Sequence, residues 1–308
     1  MPEFTVSPQG PFDLAAAQSF AGGFTPGIGG GAVAGPSLIL SFPVETTDWS
    51  SSAAVEVWQA EDGLVHARTD APEGLVDAIR TQTARSLSLH ADGTGWPDVG
   101  ERDPVIGGLQ RELGFLRPVC FYSAYEAATS FVMTQRISMR QVANVKERLR
   151  VEVGDAPTVG GVPFPAFPRP ARLIEVPEIR GISPEKVRRL HGVARATLEG
   201  RLDTEHLRSS PREEALASLR ELPGVGPWSS EAIYLRGCAV VDELPAQDEM
   251  TRAAIADLYE VPDLDDRTWL EITDRWRPYR MWATVLVRTG WSRRRGPASY
   301  RQGRRRAE

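Results

Sequence analysis

Leu222-Pro223-Gly224-Val225-Gly226-Pro227-Trp228 is the stretch on which the reading of this chain turns. Pro223-Gly224 suits the two corners of a type II turn, because Pro fixes φ at the first and Gly accepts a positive φ at the second. Upstream, Ala215, Leu216, Leu219 and Leu222 keep a helical period. Ser210, Pro211 and Glu213 read as the N-cap, first residue and capping-box partner of that helix. Downstream, Pro227 suits the first turn of a second helix. That helix runs through Ile233 and Leu235 and stops near Arg236-Gly237, with a cation in its last turn and Gly beyond it. Gly224 and Gly226 carry no side chains, so backbone N–H groups lie open beside a helix N-terminus. Such a place suits an anion, and a DNA phosphate is a natural candidate.

The chain has 308 residues, of which 41% are hydrophobic, enough for one substantial core or two. It holds no apolar run of about 18 residues, so no membrane span is expected. No basic segment precedes an apolar stretch at the N-terminus, so no secretory signal is expected. Two cysteines, Cys120 and Cys238, are too few for a disulfide framework or a four-cysteine metal site. A reducing cytoplasm is the simplest compartment. His66, His90, His191 and His206 lack metal spacing and read as surface or structural residues, and no cofactor is expected. The net charge of −5 argues against nucleic acid, but it is unevenly spread. Residues 1–100 hold 3 Arg, no Lys and 12 acidic groups, whereas the remainder holds 33 basic and 29 acidic groups. The only lysines are Lys146 and Lys186.

Along the chain, residues 1–110 read as an α/β unit. Strand candidates lie at 4–6, 37–42, 53–59, 64–68 and 87–89, and helices at 12–20 and 72–86. The glycine-rich stretch 27–35 is not followed by Gly-Lys-Ser/Thr and does not read as a phosphate loop. Residues 111–292 read as helical, with helices at 120–131 and 139–150 and a Pro/Gly-rich loop at 151–170. Further helices are expected at 170–176, 183–198 and 204–207, then the hairpin unit 210–237. Helices at 249–259 and 269–291 complete this part. Residues 293–308 form an Arg-rich tail with seven arginines, expected to be disordered. The tail either adds salt-sensitive phosphate affinity or sits inert in solvent.

Downstream of the hairpin stands Leu244-Pro245-Ala246-Gln247-Asp248-Glu249-Met250. By local pattern Asp248 is a helix N-cap, since Asp is among the best caps. Its distance from the hairpin admits a second role. The hairpin, followed at this spacing by Pro245-Ala246-Gln247-Asp248, resembles the helix–hairpin–helix, Gly/Pro-Asp superfamily of DNA glycosylases. Within it the chain is most similar to the 3-methyladenine-DNA glycosylase II family. Phe12-Asp13-Leu14…Phe20, Ala84-Arg85-Ser86-Leu87, Gly114-Phe115-Leu116-Arg117-Pro118, Thr134-Gln135-Arg136-Ile137-Ser138 and Pro278-Tyr279-Arg280-Met281-Trp282 match in order. The resemblance implies an α+β protein: an antiparallel sheet domain like half of a TATA-binding-protein fold, then two helical subdomains with the active cleft between them.

The resemblance also implies roles. Asp248 becomes the catalytic carboxylate, which stabilises an oxocarbenium-like sugar and orients or deprotonates the attacking water. Alkylated bases are already cationic and leave with little acid assistance, once the enzyme has extruded them from the duplex. Trp228 lines the base pocket, where its face attracts a cationic base. Phe20, Trp282 and Arg288 are further pocket candidates. Gly224, Val225, Gly226, Trp228 and Ser229 present the hairpin to DNA, and a monovalent cation held by backbone at Leu222 and Gly224 is implied. Gln135, Arg136 and Ile137 lie in the loop that wedges into the duplex; Arg136 aligns with the wedge and Ile137 is its more apolar neighbour. Bifunctional relatives carry a hairpin lysine that forms a Schiff base; Pro227 and Trp228 occupy that region here. The expectation is a monofunctional, monomeric, bacterial-type enzyme, associated with the nucleoid and acting on double-stranded DNA with damaged bases. Two departures bear on substrate. Ala232 stands where the founding type of the family has an aromatic, and Arg288 where another pocket tryptophan aligns. The alternatives are a glycosylase for deaminated or oxidised purines and a non-catalytic DNA-binding or damage-sensing module.

Overall fold

Val55, Val57, Val65 and Ala67 alternate with Glu56, Trp58, His66 and Arg68, and this period of two folds as a sheet with one buried face. In the computed structural model, which describes residues 1–23, 33–34 and 37–295, the strands are β1 (Glu3–Val6), β2 (Val33–Ala34), β3 (Ser37–Pro43), β4 (Ser52–Gln59) and β5 (Val65–Thr69). They pair antiparallel in the order β1-β5-β4-β3-β2, with Val55 opposite Leu40 on one side and Thr69 on the other. Helices α1 (Leu14–Gly23) and α2 (Val76–Ser86) cover the buried face, adding Leu14, Ala17, Val76 and Ile79 to its core. Apart from Val33–Ala34, the glycine-rich residues 27–35 lie outside the described residues. Residues 87–89 do not form the expected strand. Leu87 ends α2, and Ser88 takes φ 55° with its hydroxyl donating to the Pro118 carbonyl at 2.6 Å.

The remaining chain is helical: α3 (Trp96–Arg102), α4 (Pro104–Glu112), α5 (Ala124–Thr134), α6 (Met139–Glu152), α7 (Pro170–Ile174), α8 (Pro184–Leu198), α9 (Thr204–Ser209), α10 (Arg212–Arg220), α11 (Pro227–Ala232), α12 (Glu249–Leu258), α13 (Asp266–Asp274) and α14 (Arg280–Arg295). The loop after α6 carries a short hairpin, β6 (Thr158–Val159) and β7 (Val162–Pro163), whose Val159 packs with Ile39 and Ala54 on the outer sheet face. Two helical cores result. One gathers α5 to α11. The other joins Trp96, Ile106 and Leu109 to Ile255, Trp269, Trp282 and Leu286, so α3 and α4 pack with the C-terminal helices rather than under the sheet. The single last helix expected at 269–291 is two, because Pro278 has no N–H to continue the ladder. Helix α14 also runs to Arg295, past the expected start of the tail at 293; residues 296–308 lie outside the described residues. Among the described residues no helix is long and apolar enough to cross a membrane.

A buried polar cluster ties the sheet unit to the helices. Arg85 bonds Glu205 of α9 at 2.9 Å, the Tyr122 carbonyl at 3.0 Å and the carboxylate of Glu45, which also accepts from Thr204. Beside it, His90 Nε2 meets the Ala239 carbonyl at 3.1 Å, and its Nδ1 finds no partner among the described residues. Burial, helped by Arg208, pushes the His90 imidazole down from 6.5 to about 4. The unfolded chain therefore takes up a proton near pH 6.5 that the folded one refuses until about pH 4. Acidification through that window favours unfolding by up to about 3 kcal/mol. His90→Gln is expected to flatten this part of the stability profile, measured as urea midpoints between pH 7 and 4.

Candidate active site

The hairpin turn forms as the residue types require. Gly224 has φ 84°, and the Val225 N–H donates to the Leu222 carbonyl at 3.0 Å. Gly226 is exposed with open space where a Cβ would stand, and Pro227 begins α11. The helix continues as a π turn, Ile233–Gly237, a distortion often found at functional sites. The capping box expected at 210–213 is absent. Ser210 donates its hydroxyl back to the His206 carbonyl at 2.7 Å and closes α9, Pro211 becomes the N-cap of α10, and Glu213 pairs with Arg212. The two helices abut too tightly for Ser210 to serve both.

Trp228, in the first turn of α11, is 46% exposed and rests edge-on against Phe131 of α5 at 5.5 Å. A tryptophan that keeps nearly half its surface exposed in the first turn of a helix offers a planar partner a place to stack. One turn further along α11, Glu231 is buried. One of its oxygens accepts the Gln247 N–H at 2.9 Å, and the other accepts from Arg212 at 2.8 Å. Glu231 thus ties the segment before Asp248 to the hairpin helix. The sequence reading missed it. Its only local signal is an acidic residue three after Trp228, on a turn that otherwise enters the core.

Asp248 is the N-cap of α12 through its backbone, its carbonyl accepting the Thr251 N–H at 3.0 Å. Its side chain caps nothing. Oδ2 accepts the Thr251 hydroxyl at 2.5 Å and Arg288 Nη1, from α14, also at 2.5 Å. Both ion-pair partners are about one-fifth exposed. The other Arg288 amine lies 3.8 Å from the Met250 sulfur, and Nε is buried without a partner among the described residues. The arrangement holds an oriented carboxylate at a partly wet position, with a cation shared against it.

Other expected site residues divide. Arg136 is exposed with φ 55°, at the tip of the loop between α5 and α6, while Ile137 packs half-buried against the helical core. Gln135 is turned inward: Nε2 donates to the Gly224 carbonyl at 2.6 Å and Oε1 accepts from Arg189 at 2.9 Å. Its carboxamide is thus engaged within the protein rather than presented to DNA. Phe20 is half-buried where the sheet core and both helical cores meet, with the Arg236 guanidinium 5.7 Å from its ring. Trp282 is not a pocket residue. It is 1% exposed, packed on Tyr279 at 4.9 Å and under Arg117 at 4.9 Å, because the α14 face that carries it points into the C-terminal core. Val225 and Ser229 are buried, leaving backbone as their contribution to the hairpin surface. The Leu222 and Gly224 carbonyls each accept a hydrogen bond already, from Val225 and Gln135. A cation at that pair would find only the second lone pair of each oxygen, a poor cage.

No family model matches the chain. Over 209 residues it is 25% identical to the DNA-3-methyladenine glycosylase of Bacillus subtilis, covering 65% of this chain and 68% of that one. The 3-methyladenine DNA glycosylase from Archaeoglobus fulgidus superposes with a TM-score of 0.76 at 16% identity, over 94% of this chain and 98% of that one. The 8-oxoguanine glycosylase/lyase of Clostridium acetobutylicum, solved with double-stranded DNA, gives a TM-score of 0.57 at 18% identity, over 84% and 85% of the two chains. The chain has the fold of these glycosylases and resembles in sequence the 3-methyladenine-DNA glycosylase II family of the helix–hairpin–helix, Gly/Pro-Asp superfamily.

A side chain at the second corner of the hairpin would take a positive φ and displace Arg189. A Cβ on Gly224 would stand 2.7 Å from Arg189 Cδ, at a positive φ. Gly224→Ala is expected to lose about 1–2 kcal/mol of stability, read as a lower urea midpoint at unchanged slope.

Proposed function

We propose that this protein is a monofunctional DNA glycosylase that hydrolyses the N-glycosidic bond of alkylated bases in duplex DNA. The observation that carries the reading is Asp248, oriented by Arg288 and Thr251 and tethered through Gln247 and Glu231 to the helix that presents Trp228. The exposed backbone of Gly226 and the first turn of α11 take a phosphate. Arg136 fills the stack as the damaged base leaves it, at a cost that is least for poorly paired bases. The Trp228 face receives that base, and Phe20 borders the pocket from the sheet unit. As the C1′–N bond breaks, its electron pair leaves with the base, which departs neutral if it was cationic. The Asp248 carboxylate stabilises the sugar cation, and water adds to C1′, its proton passing to Asp248 or to solvent. The product is an abasic site, the substrate for the next step of base excision repair. The enzyme works as a monomer in the compartment that holds the DNA.

The lysine inventory supports hydrolysis over lyase chemistry. Lys146 is buried on Glu126 at 3.0 Å, and Lys186 bonds the Met133 carbonyl at 3.1 Å and the Gln135 carbonyl. A Schiff base needs an amine that reaches C1′, and both are committed to the protein interior.

Arg288 favours a second reading. A guanidinium beside the carboxylate disfavours a cationic base and can donate to the carbonyl of a neutral one. That selects deaminated or oxidised purines. Single-turnover base release from defined duplexes carrying 3-methyladenine, 7-methylguanine, hypoxanthine or 8-oxoguanine separates the readings. Asp248→Asn is expected to slow release of whichever base is accepted by on the order of 10²–10³-fold. Wild-type rates in that variant would remove the assigned mechanism. Borohydride is expected to trap no protein–DNA adduct, and a trapped adduct would sink the monofunctional assignment.

A further inference from the structure

Helix α8 meets both DNA-facing loops with one face. Lys186, Arg189 and Gly192 lie at spacings of three, so they share that face. Lys186 donates to the carbonyls of Met133 and Gln135, at the end of α5 just before Arg136. Arg189 packs its Cδ under Gly224 and bonds Gln135 Oε1 at 2.9 Å, held in place by Glu185 at 3.1 Å. Gly192 lets Pro223 approach so closely that a Cβ would stand 2.8 Å from its ring. Gln135 closes the set, its Nε2 donating across to the Gly224 carbonyl at 2.6 Å.

We infer that Gln135 and Arg189, seated on α8 with Lys186, form a latch that makes the Arg136 loop and the phosphate-binding hairpin one rigid body. Phosphate capture at Gly226 then fixes where Arg136 enters the duplex. Both are positioning residues: their polar groups bond each other and the Gly224 carbonyl. The inference rests on the glycosylase reading and deepens it. Loss of the latch weakens extrusion of a stacked base and leaves bond cleavage in an extruded one.

The test compares a lesion paired in a duplex with the same lesion in an unpaired bubble, where little stacking must be broken. Arg189→Met removes a charge-assisted hydrogen bond and is expected to slow single-turnover excision from the duplex about tenfold, and from the bubble by less than about twofold. Gln135→Leu is expected to show the same split. The double variant is expected to be no slower than the worse single one, since both break one unit. Equal slowing on the two substrates, or losses that multiply in the double variant, overturns the latch; so does a duplex rate like that of wild type. Circular dichroism melts check that each variant is folded. In parallel, 2-aminopurine placed beside the lesion brightens as the stack opens, and the latch variants are expected to show a several-fold smaller rise on binding; an undiminished rise also overturns the latch. If wild type releases no base from either substrate, the glycosylase reading fails, and the 2-aminopurine signal still scores the latch.

Discussion

The close approach of the second hairpin helix to α5 sets the geometry of the whole site. Gly237, in the π turn that ends that helix, lies where a Cβ would stand 2.7 Å from the Ala127 Cβ and 3.2 Å from the Ala124 Cα. Small residues on both surfaces let the helix axes come together, and packing at native density then fixes their relative rotation. Trp228 consequently meets Phe131 edge-on near the far end of α5, and the loop that follows α5 falls beside the hairpin turn, within reach of Gln135. A larger residue at 237 would part the helices and separate every group the proposed chemistry brings together.

The second constraint is electrostatic. A carboxylate that is only about one-fifth exposed loses part of its hydration, and Arg288 and Thr251 supply hydrogen bonds in place of that water. The same cation dilutes the negative field that a sugar cation would feel. Orientation and charge are therefore traded against each other at one oxygen. The second carboxylate of the site, Glu231, is answered by Arg212 and by a backbone N–H. Its charge is spent on placing the Asp248 segment.

The local grammar of the chain was legible. Pro223-Gly224 makes the expected turn and Pro227 starts the expected helix, while the capping box read at Ser210 and Glu213 does not form. The alternation in residues 53–59 and 64–68 marks β4 and β5 as strands. These features depend on neighbours within about four residues, which is the range over which turn and cap chemistry acts. The division near residue 110 was less legible, because α3 and α4 find their apolar partners in helices more than 140 positions later.

Functional side chains are legible only where their role is set locally, and the two tryptophans show why. Trp228 and Trp282 both lie in helices near Pro residues, and neither neighbourhood says which is exposed. Trp282 is buried because Trp96, Tyr279 and Arg117 surround it, whereas Trp228 has Phe131 of α5 as a ring partner and keeps nearly half its surface exposed. Asp248 looked like a cap, and it is one by backbone. Its carboxylate bonds no helix N–H group and pairs instead with Thr251 and with Arg288, forty residues later. Arg288 stands where the resemblance leads one to expect an aromatic, and no local pattern points to its partner. A partly buried arginine must find a carboxylate or leave the interior, and the one at hand is the proposed catalytic group. The residue that leaves substrate choice open in the sequence is thus the same one that pairs with Asp248.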